Sequence, residues 1–257
     1  MSSPHDPVIE VSGNYSTGDY LGNSLQILAG GSVSLGNVTI SGAGRQFNNS
    51  SVTLSDGTSL SLSGRTRPTL DVRTGTTRFF TTPTRNGTPT SANITIGTIQ
   101  NIGGDVFLTN QYFLNISLPG GNIQVGEINA SIFADRNGAN SGSVTIDSRG
   151  NLTVNGEINT VTSPNPDLQG VIASNGGKVS LIVQNNITLN NNIESFVGNN
   201  PLVRGKGGNI SLGSIFAISD QGNGGNVTLN TTGNITTKDI NTNGAFRDCY
   251  VKGASTD

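Results

Sequence analysis

The sequence predicts an all-β chain wound as a single-stranded, right-handed parallel β-helix, and three observations lead there. First, one unit recurs: a Gly-Gly corner, a polar residue, then an apolar-polar-apolar triplet. It stands at 30–35 (GGSVSL), 103–108 (GGDVFL), 120–125 (GGNIQV), 176–181 (GGKVSL), 207–212 (GGNISL) and 224–229 (GGNVTL), with a shorter copy at 142–146 (GSVTI). Second, another triplet often follows a short polar turn, as LTV at 152–154, ITL at 187–189 and ITT at 235–237. Third, a lone apolar marker closes the set, in GEIN at 126–129 and 156–159, NNIE at 191–194 and KDIN at 238–241.

Each triplet is the shortest useful strand, with alternate side chains on one face, and glycine supplies a corner open to positive φ. Three short strands with two or three corners make one coil of a parallel solenoid. Triplet starts at 123, 144, 179, 210 and 227 are 21, 35, 31 and 17 apart, so the coils carry loops of unequal length. Such inequality excludes hexapeptide solenoids and the calcium-binding nonapeptide, whose periods are strict. The stretches 93–99 (NITIGTI), 122–128 (NIQVGEI) and 209–215 (NISLGSI) match position for position and read as a short form lacking the second triplet. The right hand follows from the crossover preference of parallel strands.

Along the chain, residues 1–23 read as a lead-in or N-terminal cap, with VIEV at 8–11 as a first strand. The β-helix occupies 24–243. Its early triplets are 25–27, 33–35, 38–40, 52–54 and 60–62, and the 19 residues from Val33 to Val52 suit one compact coil. Residues 64–92 break the pattern with Arg65, Arg67, Arg73, Arg78 and Arg85 among prolines and threonines. This is read as an insertion or a long strand pair leaving the column, anchored by Phe79 and Phe80. Shorter excursions fall at 135–141, 160–170 and 197–205, and 244–257 is a C-terminal tail or cap. About a dozen coils at strand spacing would give a column of roughly 50–60 Å.

Composition narrows the function classes. A net charge of -2 leaves no general attraction to nucleic acid or anionic membrane. No apolar run approaches the ~18 residues of a membrane span. Cys249 stands alone, so no intrachain disulfide forms, and His5 alone cannot build a catalytic triad or a His-rich metal site.

The stretches GGNVTLNTTGNIT (224–236) and SGSVTIDSRGNLTVNG (141–156) resemble coils of the filamentous haemagglutinin family, two-partner-secretion exoproteins of Gram-negative bacteria, and most resemble cyanobacterial members. The resemblance covers roughly 24–243. It implies a right-handed β-helix secreted through an outer-membrane partner to the cell surface or medium, working in adhesion or as a stalk. The family's Asn-Pro-Asn secretion motif has only Asn165-Pro166-Asp167 as a counterpart, in a different place.

Two features offer chemistry. Glu127, Glu157 and Asp239 share the slot before the third marker, so stacking lines them up as a carboxylate row. That row suits calcium, or acid and base work on a polysaccharide, or simply a solvated face. The arginines at 65, 67, 73, 78 and 85 suit sulfated or uronic-acid glycans or a partner protein, or a solvated loop. The many asparagines tolerate corners and stack into ladders. Asp220 to Gly224 is a weak calcium-turn pattern.

The expectation is therefore a non-enzymatic structural or adhesive segment, needing no cofactor, monomeric or weakly self-associating, with glycans or surface proteins as partners. The alternative is a polysaccharide lyase or glycosidase using the carboxylate row, against which stands the lack of tryptophan. A trimeric fibre is a third reading.

Overall fold

A computed structural model describes residues 8–77, 79–80, 92–110, 120–134, 140–164, 177–194, 202–205, 209–217 and 227–242. Three parallel sheets of eight strands each run the length of the molecule, so the described chain makes eight coils, each giving one strand to every sheet. The first sheet comprises Val8–Val11, Leu25–Ala29, Thr69–Thr74, Asp105–Thr109, Val144–Ser148, Val179–Val183, Leu202–Gly205 and Thr228–Thr231. The second comprises Tyr15–Ser16, Val33–Leu35, Ile94–Ile96, Ile123–Val125, Leu152–Val154, Ile187–Leu189, Ile210–Leu212 and Ile235–Thr237. Tyr20–Asn23, Val38–Gly42, Ile99–Gln100, Ile128–Asn129, Ile158–Asn159, Ile193–Glu194, Ile215–Phe216 and Ile240–Asn241 form the third. This is the predicted parallel β-helix.

Alternation explains the core. In the first sheet Ile27, Val72, Leu108, Ile146 and Leu181 lie in register and point inward, all fully buried. Ile94, Ile123, Leu152, Ile187 and Ile210 do the same in the second, and Val38, Ile99, Ile128, Ile158 and Ile193 in the third. Burying one such side chain contributes about 1.5–3 kcal/mol, so a narrow stack of β-branched residues suffices where a wide interior is absent.

Several expectations are corrected. Among the described residues the column has eight coils, roughly 34 Å at strand spacing, rather than the expected dozen. Residues 8–23 are its first complete coil, and so belong to the helix. The Gly-Gly unit does not mark one sheet: it precedes the first sheet at Val179 and the second at Val33, Ile123 and Ile210. The apparent short form is the second and third strands of a coil, whose first strand lies upstream beyond a loop.

The insertion also moves. Ser50–Thr53 and Ser59–Leu62, expected as column triplets, instead pair antiparallel as a hairpin. Its turn has Gly57 at φ 86° and Asp56 Oδ1 accepting the Thr58 N–H at 3.0 Å. Thr69–Thr74, expected inside the insertion, is a first-sheet strand between Leu25–Ala29 and Asp105–Thr109. The hairpin lies over the outer face of that sheet, where Phe47, Leu54 and Leu62 bury Phe107 and Ile182 in a second small core. Residues 1–7 and 243–257 lie outside the described residues.

Candidate functional site

The three outer faces differ. The first sheet is covered by the hairpin, so its outward residues Gln26, Asp71, Arg73, Phe107 and Asp147 are buried. On the third, the outward Gln100, Asn129, Asn159 and Glu194 are half-buried. The second sheet presents one outward residue per coil: Ser16, Ser34, Thr95, Gln124, Thr153, Thr188, Ser211 and Thr236, in register. Six of these are exposed, Thr153 and Thr188 are half-buried, and none is ionisable.

Beside that row runs a ladder. Asn14 Oδ1 accepts the Ser32 N–H at 2.8 Å, and Ser32 Oγ accepts that of Asn93 at 3.0 Å. Asn93 then accepts from Asn122 at 2.8 Å, Asn122 from Asn151 at 2.9 Å and Asn151 from Asn186 at 3.1 Å. Asn186 accepts from Asn209 at 2.8 Å, and Asn209 from Asn234 at 3.0 Å. Every bond runs the same way, from a backbone N–H to the side-chain oxygen of the preceding coil. Asparagine suits the corner because its short amide reaches the neighbouring strand while its own carbonyl stays in the backbone pairing. The second sheet thus carries two parallel uncharged rows, hydroxyl and amide, repeating at about 4.8 Å.

The predicted carboxylate row is only partly assembled. Glu127 and Glu157 sit in adjacent coils, one residue before the paired Ile128 and Ile158. Asn192 and Ser214 fill the slot in the next two coils, leaving Asp239 apart, where it accepts from Ser214 Oγ at 3.3 Å. A residue passed over in the sequence completes the cluster: Glu194, in register with Asn159. Burial, foremost, together with the Glu194 and Glu127 carboxylates and a hydrogen bond that protonated Glu157 donates to Glu194, raises the Glu157 pKa above its ordinary value, while Asn159 opposes the shift. The signal was available, since Glu194 takes the position held by Asn129 and Asn159 in otherwise matching coils. Among the described residues no group of three acidic, histidine or cysteine side chains is arranged to hold a metal ion.

Of the five arginines expected as a binding site, the three that are described, Arg65, Arg67 and Arg73, each take different partners. Arg73 is 1% exposed and lies against the fully buried Asp71, with Nη2 2.7 Å from Oδ2 and Nε 2.9 Å from Oδ1. Its Nη2 also donates to Ser50 Oγ of the hairpin at 2.8 Å, and Phe80 and Phe107 flank the guanidinium at 5.8 Å each. Gln26 Nε2 completes the set by donating to Asp71 Oδ2 at 2.7 Å. Arg73 therefore ties the hairpin to the column and does not face an external ligand. Arg67 donates to the Ser141 carbonyl at 2.5 Å and pairs with Asp105 at 3.4 Å. Arg65 is exposed, its Nε donating to the Phe47 carbonyl at 2.6 Å. Arg78 and Arg85 lie outside the described residues, as do His5, Cys249 and the turn at 220–224.

No helix among the described residues is long and apolar enough to cross a membrane. No family model matches the chain, and neither a curated protein nor a solved structure matches it.

Proposed function

We propose that the chain is a structural and adhesive module of a secreted or cell-surface exoprotein of the filamentous haemagglutinin type. It serves as a stiff column whose second sheet makes multivalent contact with neutral polysaccharide. The supporting observation is the uncharged hydroxyl and amide face, repeated in register through eight coils and exposed in six of them. A chain of sugar hydroxyls meets equivalent donors and acceptors at every step. Each exchange of water for ligand is worth only about 0.5–1.5 kcal/mol, so affinity comes from repetition. The engagement of Arg65, Arg67 and Arg73 with groups of the protein itself favours neutral over sulfated or uronic-acid glycans. Passage through an outer-membrane partner belongs to the same proposal.

A glycan array probed with the wild type, with Ser34, Thr95 and Ser211 changed together to Glu, and with Arg65 and Arg67 changed to Gln tests this reading. Binding of neutral glycans that only the first variant loses supports it. Absence of binding by the folded protein overturns the adhesive part and leaves the spacer.

The clustered Glu127, Glu157 and Glu194 support a second reading, a polysaccharide lyase or glycosidase. Changing Glu127 and Glu157 together to Gln abolishes depolymerisation under that reading and alters nothing under the first.

A further inference from the structure

Stacked coils of a solenoid are coupled through their nearest neighbours, so each opens as a local event that coils farther along do not feel. The segment at 43–67 departs from that rule. It leaves the column after the second coil, turns back as the hairpin of Ser50–Thr53 and Ser59–Leu62, and touches the outer face of the first sheet in five successive coils. In the second coil Gln26 Nε2 donates to the Asn48 carbonyl at 3.3 Å, and Gln26 Oε1 accepts the Asn48 N–H at 3.1 Å. In the third, Arg73 Nη2 donates to Ser50 Oγ at 2.8 Å. In the fourth and sixth, Phe107 and Ile182 pack with Phe47, Leu54 and Leu62. In the fifth, Asp147 accepts the Ser55 N–H at 2.8 Å and the Ser55 hydroxyl at 2.6 Å.

These anchors lie along two adjoining lines of the sheet. Gln26, Asp71 and Phe107 are in register, and so are Arg73, Thr109, Asp147 and Ile182. All seven side chains are buried. Two of the contacts are hydrogen bonds to charged groups, which are the strong kind. Opening any one of these coils therefore strips the hairpin of part of its seat. Displacing the hairpin in turn uncovers Phe107 and Ile182 in two other coils.

We infer that the hairpin is a clasp that joins the second to the sixth coil into one cooperative unit. Beneath it the coils do not open one at a time, as they would in a bare solenoid. The strand edges between them, where another chain would pair, thus stay closed until the whole unit opens. The clasp bypasses the column's own stacking, since Ser55 at the hairpin turn reaches a partner 92 residues along the chain.

Amide hydrogen exchange of the full chain under native conditions tests the clasp. The reporters are four second-sheet amides away from the hairpin: Val33, Ile94, Ile123 and Ile187, in the second, third, fourth and sixth coils. They donate to the carbonyls of Asn93, Asn122, Asn151 and Asn209 at 2.9, 3.0, 2.9 and 2.9 Å. The perturbation is Leu152→Ala in the fifth coil, which opens a cavity in the inner core and leaves the hairpin's own core intact. With the hairpin docked, exchange of all four amides speeds by one common factor, about 30-fold or more. Leu54→Asp with Leu62→Asp then releases the hairpin while every residue of the three sheets stays in place, and loss of protection at the Ser55 N–H confirms the release. In that background Leu152→Ala speeds Ile123 and Ile187, in the adjoining coils, and leaves Val33 unchanged. Excising 46–62 and bridging the gap, where the Gly44 N–H already donates to the Gly64 carbonyl at 2.7 Å, gives the same background by removing the hairpin outright. Ile158→Val, worth about 2- to 10-fold, repeats the comparison with a milder change. An effect confined to Ile123 and Ile187 while the hairpin is docked overturns the inference. So does a common factor that persists after the hairpin is released or removed, because stacking alone then supplies the coupling.

Discussion

Replacing Arg73 by Met tests how the hairpin is held. The side chain is 1% exposed and its partner Asp71 is fully buried, with guanidinium to carboxylate contacts of 2.7 and 2.9 Å. Met keeps much of the volume against Phe80 and Phe107 but leaves the Asp71 carboxylate with Gln26 alone. Breaking a buried pair on one side costs about 3–5 kcal/mol, because an uncompensated charge stays behind. For a chain of this size that lowers the melting temperature by about 6–12 °C at the lower end of the range. The double variant Asp71→Leu with Arg73→Met removes both charges and recovers most of the loss, since apolar replacement of a buried pair is often neutral or better. Urea unfolding followed by circular dichroism, run on both singles and the double, measures the coupling. A loss below about 1 kcal/mol for Arg73→Met would refute the reasoning, and so would a double variant as unstable as the sum of the singles.

Other consequences follow from the same geometry. Asn122→Ala removes the acceptor of the Asn151 N–H and costs about 1 kcal/mol by urea unfolding, while Asn122→Asp keeps the acceptor and much of the stability. Gly142→Ala places a methyl group against the Gly104 carbonyl of the preceding coil, a backbone contact that cannot give way, and destabilises by several-fold more than Gly18→Ala, which meets no atom within 4 Å. Phe47→Ala opens the hairpin core and costs about 3–5 kcal/mol or releases the hairpin to proteolysis, with the cleavage pattern distinguishing the two. Glu157 has a raised folded pKa, so the folded chain holds a proton that the unfolded chain releases around 4.5. Its contribution to stability is complete below that pH and is lost as pH rises through the folded value. Glu157→Gln should flatten this dependence, and melting temperatures compared at pH 4 and pH 7 report it.

The column was legible because its signal is local: one coil needs only alternating apolar residues and a corner, and both are written into a few consecutive positions. The match among 93–99, 122–128 and 209–215 reflects the five-residue step between second and third sheets, which loops do not interrupt. Which strand belongs to which sheet was less legible, because Gly-Gly corners open onto two different sheets. The hairpin was misplaced for a related reason. Val52 to Leu54 and Leu60 to Leu62 alternate like any column strand, and only Asp56-Gly57 between them marks an antiparallel return. Arg73 was read from its charge as a ligand-binding or solvated-loop residue, yet its partner Asp71 lies two residues away on the same outward face. What buries both is a hairpin about 20 residues upstream, and burial from so far along the chain leaves no mark in the local pattern. The carboxylate slot was identified in outline, but Glu194 joins through register across coils, which unequal loops conceal.

The most direct test of the adhesive account is graded loss of polysaccharide binding along the second sheet. Using a neutral glycan bound by the wild type, Ser34, Thr95, Gln124 and Ser211 are changed to Glu one, two, three and four at a time, and affinity is measured by surface plasmon resonance. The account predicts a loss that grows with each coil blocked, while Thr39→Glu and Gln100→Glu on the third sheet leave binding unchanged. Complete loss from a single coil with no effect from the others, or an equal loss from the third sheet, would contradict a repeated face as the binding surface.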